Sequence, residues 1–198
     1  MVPTTTRTVA QYERIDLQAG PFPYVLACNG GVLLTEGKRD PEWYRHSLES
    51  IGESREELAL AEELLEQDPR RNFELRFIEE LFLFTKCEEP EAAADSLRER
   101  LDLSKVEVFR NGAKVYVVPR NLSKGHAVRR FREYIGADRV IAAGDSEFDL
   151  SMLREADRAL APWGFCRSVG AGFPADEAGE GELFSEYVLT ECLKVPER

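Results

Sequence analysis

The chain has 198 residues, of which 43% are hydrophobic, and a formal net charge of −11. It is long enough for one sizeable core, or a core and a small second domain, and too apolar for wholesale disorder. The acidic balance argues against sequence-independent nucleic-acid binding, which depends on Lys and Arg neutralising phosphates; a small phosphorylated ligand stays open, because a metal and one Lys can override the global field locally.

Cys28, Cys87, Cys166 and Cys192 are far apart and form no CxxC pair. That spacing fits reduced thiols better than a zinc site or a disulfide scaffold. The N-terminal residues lack an apolar signal core, and no apolar run reaches the ~18–20 residues of a membrane span. The expectation is a cytoplasmic chain with no membrane or nucleic-acid partner.

In chain order, the apolar run from Tyr24 to Cys28 predicts a strand, ended by the turn signal Asn29-Gly30-Gly31, and Val32-Leu33-Leu34 continues as strand. The stretch over about 41–65 reads as helical, with an apolar stripe at Leu58, Leu60, Ala61, Leu64 and Leu65. Strands are expected over 73–77 and 81–84, and a helix over 91–101. Two strands, 106–109 and 114–118, flank Asn111-Gly112, a strong hairpin signal. A helix over 124–134 closes at Gly136. A short buried strand over 140–143, a helix over 149–156, a strand over 158–162, a loop over 170–181 and a helix over 182–193 complete the chain. The acidic run 176–182 reads as a solvated connection. Trp43 and Trp163, and the pair Phe82 and Phe84, read as packing residues; His46 and His126 have no ligand-like spacing.

Strand–helix alternation at both ends predicts an α/β fold: a Rossmann-like parallel sheet core over 1–37 and 113–198. The middle, 38–112, mixes helices with antiparallel strands, as an inserted α+β cap domain would.

Chemistry concentrates in three places. Residues Gly144-Asp145-Ser146-Glu147-Phe148-Asp149 follow a buried strand and put two carboxylates four positions apart. The carboxyl end of a parallel strand is where open α/β sheets place ligand sites, and hard carboxylate oxygens suit Mg²⁺. Asn121-Leu122-Ser123-Lys124-Gly125 places a Lys at a helix start, able to neutralise charge that develops in phosphoryl transfer. The run Thr4-Thr5-Thr6 supplies hydroxyls near the beginning. The plain reading of Asp145 and Asp149 is a helix N-cap and a first-turn acid, and that of Lys124 a surface Lys; their combination favours a site.

In this order the three pieces resemble the haloacid dehalogenase-like hydrolases, in the subgroup with an inserted α/β cap that includes sugar-phosphate phosphatases. The resemblance spans nearly the whole chain and implies an Mg²⁺-dependent phosphatase acting on a small phosphorylated metabolite such as a sugar phosphate. It implies that Thr5 holds a phosphoryl oxygen and that Lys124 stabilises the nucleophile and the phosphoryl group. It implies that Asp145 ligates Mg²⁺, and that Asp149 either joins it at the metal or orients Lys124. Asn29 matches the family's turn after the second motif and joins Thr5 and Lys124 as a substrate-binding residue. The family's usual Asn before the second acid is here Phe148.

The family's D-x-D motif, nucleophile plus acid/base, occurs nowhere in the sequence. Four residues precede Thr5, too few for a strand and a crossover. Three readings stand: an N-terminally truncated chain, which is preferred; a non-catalytic relative serving as a metal- and phosphate-binding or interaction module; or a missing half supplied by another polypeptide. Absence of the first strand predicts self-association through the exposed core edge. A receiver-like signalling domain is a weaker alternative.

Overall fold

The computed structural model describes residues 1–16, 20–170 and 174–194, which cluster into two compact units, 1–122 and 123–198.

In the first unit a one-turn helix, α1 (Val9–Tyr12), precedes an antiparallel meander of β1 (Tyr24–Ala27), β2 (Val32–Thr35) and β3 (Lys38–Arg39). β1 and β2 are joined by a tight 3₁₀ turn, Cys28–Gly30, in which all three residues have positive φ. Parallel alternation was expected at this end of the chain; the parallel pairing found here is the single bridge of Thr4 to Leu26. The turn is too short for a crossover helix, so β2 folds back antiparallel.

The stretch expected to be helical, 41–65, forms two helices, α2 (Pro41–Ser50) and α3 (Arg55–Glu66), separated by a 3₁₀ turn at Gly52–Ser54. Asp40 caps α2 by accepting from the Trp43 amide at 2.9 Å, with Pro41 at the first helical position. Ser54 turns its hydroxyl to the Lys105 carbonyl at 2.9 Å, which fixes the break between the helices.

A four-stranded antiparallel sheet follows, in the order β4 (Arg76–Ile78), β5 (Phe82–Lys86), β7 (Lys114–Pro119) and β6 (Val106–Asn111), with α4 (Pro90–Arg98) between β5 and β6 in sequence. α3 and α4 pack on this sheet. Leu58, Leu65, Leu83, Val106, Val115 and Val117 are buried in its core. The strand expected at 73–77 begins only at Arg76, because Thr85 Oγ1 donates to the Phe73 and Glu74 carbonyls. In the β6–β7 hairpin, pairing runs out to Asn111 opposite Lys114. The two loop residues are therefore Gly112 and Ala113, with Gly112 at φ +57°.

The second unit is a parallel three-stranded sheet, β10 (Asp176–Glu177), β9 (Arg158–Ala161) and β8 (Ile141–Ala143). Around it lie α5 (Lys124–Ile135), α6 (Leu150–Glu155), α7 (Phe165–Ser168) and α8 (Phe184–Leu193). Ala142, Met152, Leu153, Ala159, Ala161 and Phe165 form its core. The acidic run is more than a solvated connection. Asp176 and Glu177 pair with β9, Asp176 takes the Arg158 guanidinium, and Glu177 accepts from the Gly164 and Cys166 amides at the start of α7. The expected loop over 170–181 includes residues 171–173, which lie outside the described residues. Trp43, Phe82 and Phe84 are buried as expected, whereas Trp163 is 55% exposed.

Candidate functional site

The second unit brings together three of the residues singled out in the sequence. β8 ends at Ala143, and Gly144 then turns the chain. A Cβ on Gly144 would lie 2.4 Å from the Asp149 Cβ and 2.8 Å from its Cγ, so only glycine leaves space for the Asp149 side chain. Ser146 starts the short 3₁₀ turn Glu147–Asp149 in a capping box: its side chain accepts from the Asp149 amide while the Asp149 carboxylate reaches back.

Asp149 is 4% exposed and Lys124 7%. Lys124 Nζ donates to Asp149 Oδ1 at 2.5 Å. The other oxygen, Oδ2, accepts from the Asp145 amide (3.1 Å), the Ser146 amide (3.0 Å) and the Ser146 hydroxyl (2.7 Å). This is a buried ion pair in which the carboxylate is anchored by its own turn and the ammonium by the carboxylate.

Lys124 is the first residue of α5, where the helix dipole disfavours a cation. A local rule broken and compensated by a specific partner is what a functional position looks like. Ser123 caps this helix by accepting from the His126 amide at 3.2 Å. The next residue, Gly125, brings α5 against α6: its amide donates to Ser151 Oγ at 3.1 Å, and a Cβ there would lie 2.5 Å from the Ser151 carbonyl oxygen.

Asp145 differs from Asp149. It is exposed, and its carboxylate has no hydrogen bond or ion pair among the described residues. Mg²⁺ is commonly held by one or two carboxylates with waters and phosphate oxygens, and Asp145 fits that role as an anchor. Asp149 fits less well, since both its oxygens already accept from protein donors. Among the described residues no group of three or more His, Cys, Asp or Glu side chains could hold a metal on its own.

Thr5 and Asn29 lie in the first unit, where they meet each other. The Asn29 amide donates to the Thr5 carbonyl at 2.8 Å, the Thr5 amide to the Leu26 carbonyl at 2.8 Å, and Thr5 Oγ1 accepts from the Arg7 amide at 3.2 Å. Asn29 is buried at φ +59°, and its Nδ2 donates to the Leu122 carbonyl at 2.7 Å. Its Oδ1 is buried with no hydrogen-bond partner among the described residues. Phe148, where the family pattern has Asn, is half-buried. A cleft of about 520 Å³ in this unit, lined in part by Tyr12, Asp16, Phe22 and Glu36, includes none of the candidate residues.

Sequence reasoning placed Gly144 at the turn after the strand and passed over Ser146, Gly125 and Ser151 as individual residues. Only one of their signals was local and readable: S-x-x-D at 146–149 is a capping box.

A parallel strand ending in a carboxylate-bearing turn, beside a buried Lys, defines a class of α/β protein with a charged site at a strand tip. The model of the haloacid dehalogenase-like hydrolase family matches residues 34–161, and the chain belongs to that family. No curated protein matches it in sequence. Among solved structures it is similar to the sucrose-phosphatase of Synechocystis in complex with sucrose and phosphate, with a TM-score of 0.67 and 15% identity over 89% of this chain and 77% of that one. It is also similar to a trehalose-6-phosphate phosphatase related protein (TM-score 0.56, 16% identity, 97% and 80% covered). A haloacid dehalogenase-like hydrolase from B. subtilis gives a TM-score of 0.56 at 17% identity, with 89% and 81% covered. At these identities the likeness establishes the fold, a Rossmann-type α/β architecture with a cap. No helix among the described residues is long and apolar enough to cross a membrane.

Proposed function

We propose that these 198 residues form the phosphate-binding and metal-anchoring part of an Mg²⁺-dependent phosphatase for a small phosphorylated metabolite, of the sugar-phosphate class. The observation that carries this reading is the buried Lys124–Asp149 pair, 2.5 Å apart, beside the exposed carboxylate of Asp145, which is unpartnered among the described residues. Lys124 presents a fixed cation to the phosphoryl oxygens, and Asp149 keeps that cation in place and aimed. Asp145 would anchor Mg²⁺, which when bound supplies further neutralisation of phosphoryl charge. Thr5 joins the proposal as a hydroxyl donor to a phosphoryl oxygen, and Asn29 as a further substrate-binding residue. The proposed division is a core of 1–37 and 113–198 with a cap at 38–112, in a cytoplasmic protein whose core edge can associate with a second copy.

A second reading rests on the absence of D-x-D from these residues: a non-catalytic module that binds metal and phosphate. One assay separates them. The purified chain is given Mg²⁺ and an aryl phosphate, with Asp145→Asn as control. Mg²⁺-dependent phosphate release appearing only when a strand bearing D-x-D is supplied, and lost in Asp145→Asn, supports the phosphatase. Mg²⁺-dependent phosphate binding without release under either condition favours the module. Phosphate binding unaffected by both Asp145→Asn and Lys124→Met refutes the site.

A further inference from the structure

We infer that Ser146 is a positioning residue, whose hydroxyl holds Asp149 so that one carboxylate oxygen alone faces Lys124. The inference rests on the reading of Lys124 as the phosphate-facing cation, but is tested separately from it.

The geometry is specific. The two oxygens of Asp149 are divided between two tasks. Oδ2 takes the hydroxyl and amide of Ser146 and the amide of Asp145, all local to the turn. Oδ1 takes Lys124, 25 residues away in sequence. The shortest of the three local contacts is the Ser146 hydroxyl, at 2.7 Å. Gly144 closes the other side: its missing Cβ is the space into which the Asp149 Cβ and Cγ fit. A partial rotation of the carboxylate would take one oxygen out of line with Lys124 and the other out of line with the donors of the turn, so the hydroxyl acts as a latch on the orientation of the pair. The Ser146 side chain also accepts from the Asp149 amide as an N-cap. A bland reading therefore exists, in which Ser146 only starts the turn.

Two substitutions separate latch from cap. Glycine is nearly as good as serine at an N-cap but has no hydroxyl, and threonine keeps both functions. The readout is the side-chain ammonium signal of Lys124 in ¹H–¹⁵N NMR, which a buried, hydrogen-bonded ammonium keeps through slowed proton exchange. The parent and Ser146→Thr are expected to show it. Ser146→Gly is expected to lose it, with the main-chain spectrum of 123–170 otherwise preserved. A full-strength signal in Ser146→Gly, or no protected signal in the parent, overturns the inference. In parallel, binding of inorganic phosphate is titrated by calorimetry. Affinity lowered about tenfold in Ser146→Gly and restored in Ser146→Thr extends the latch to ligand binding. A parent that binds no phosphate, while its ammonium signal responds as expected, defeats the phosphate reading and leaves the latch standing.

Discussion

The Lys124–Asp149 pair makes an asymmetric prediction. Asp149 has four donors, Lys124 Nζ on Oδ1 and the Asp145 and Ser146 groups on Oδ2, and Lys124 depends on Asp149. The side chains are 8% and 6% exposed, so neither charge can turn to water. In Lys124→Met the carboxylate keeps three donors. The lost charge-assisted bond, about 1.5–3 kcal/mol, is offset in part because an ammonium no longer has to be desolvated, leaving an expected cost of about 1 kcal/mol. In Asp149→Asn one carbonyl oxygen must serve four donors, and the new NH₂ points at groups that themselves donate. The ammonium is left buried without its anion, a situation that costs about 3–5 kcal/mol when a buried pair is broken, and we expect the lower end. The double variant removes the stranded charge and should cost about 2 kcal/mol, well under the sum of the two singles. Hydrogen exchange of the most protected amides in 141–161 measures this in the unit that holds the pair. A cost for Asp149→Asn below that of Lys124→Met, or singles that add to within about 0.5 kcal/mol, would refute the reasoning.

Two further outcomes follow from neighbouring geometry. Gly125→Ala puts a Cβ 2.5 Å from the Ser151 carbonyl oxygen, a backbone atom that cannot swing aside, so α5 and α6 must separate. An overpacking cost of about 1–3 kcal/mol is expected, with weakened protection of the Gly125 amide; a neutral or stabilising effect by chemical denaturation would contradict the close helix contact. Glu177 is held below the ordinary glutamate range chiefly by the Cys166 amide that donates to it at 2.7 Å. Its contribution to stability is therefore complete above the ordinary value, about 4.3, and is lost as pH falls through the lower folded value. Melting temperatures of the parent and Glu177→Gln should differ most near pH 6 and draw together toward pH 3; a gap that stays constant with pH would count against the carboxylate as the cap of α7.

What could be read from the sequence was what neighbouring residues settle among themselves. The turn at 144–149 is one example: an apolar strand, a glycine and S-x-x-D fix a strand tip and a helix start within six residues. The helix starts at Asp40-Pro41 and Ser123-Lys124 were equally local, because a cap and its recipient amide lie three residues apart. The readings that failed depended on distant partners. The break between α2 and α3 is fixed by Ser54 reaching Lys105, and the late start of β4 by Thr85 reaching Phe73 and Glu74. The acidic run 176–182 is exposed for the most part, as a solvated connection is, but Asp176 meets Arg158 and Glu177 meets the α7 amides, partners that lie outside the run. The ion pair lies on the same boundary. The sequence named Lys124 and Asp149 by motif and left open whether Asp149 faces metal or Lys. Their separation of 2.5 Å across 25 residues is decided by tertiary packing, where Gly125 admits α6 to the start of α5 and Gly144 clears the space for a carboxylate. Side-chain direction toward a remote partner is set by the volume other segments leave empty, and that volume is a property of the folded chain rather than of any stretch of it.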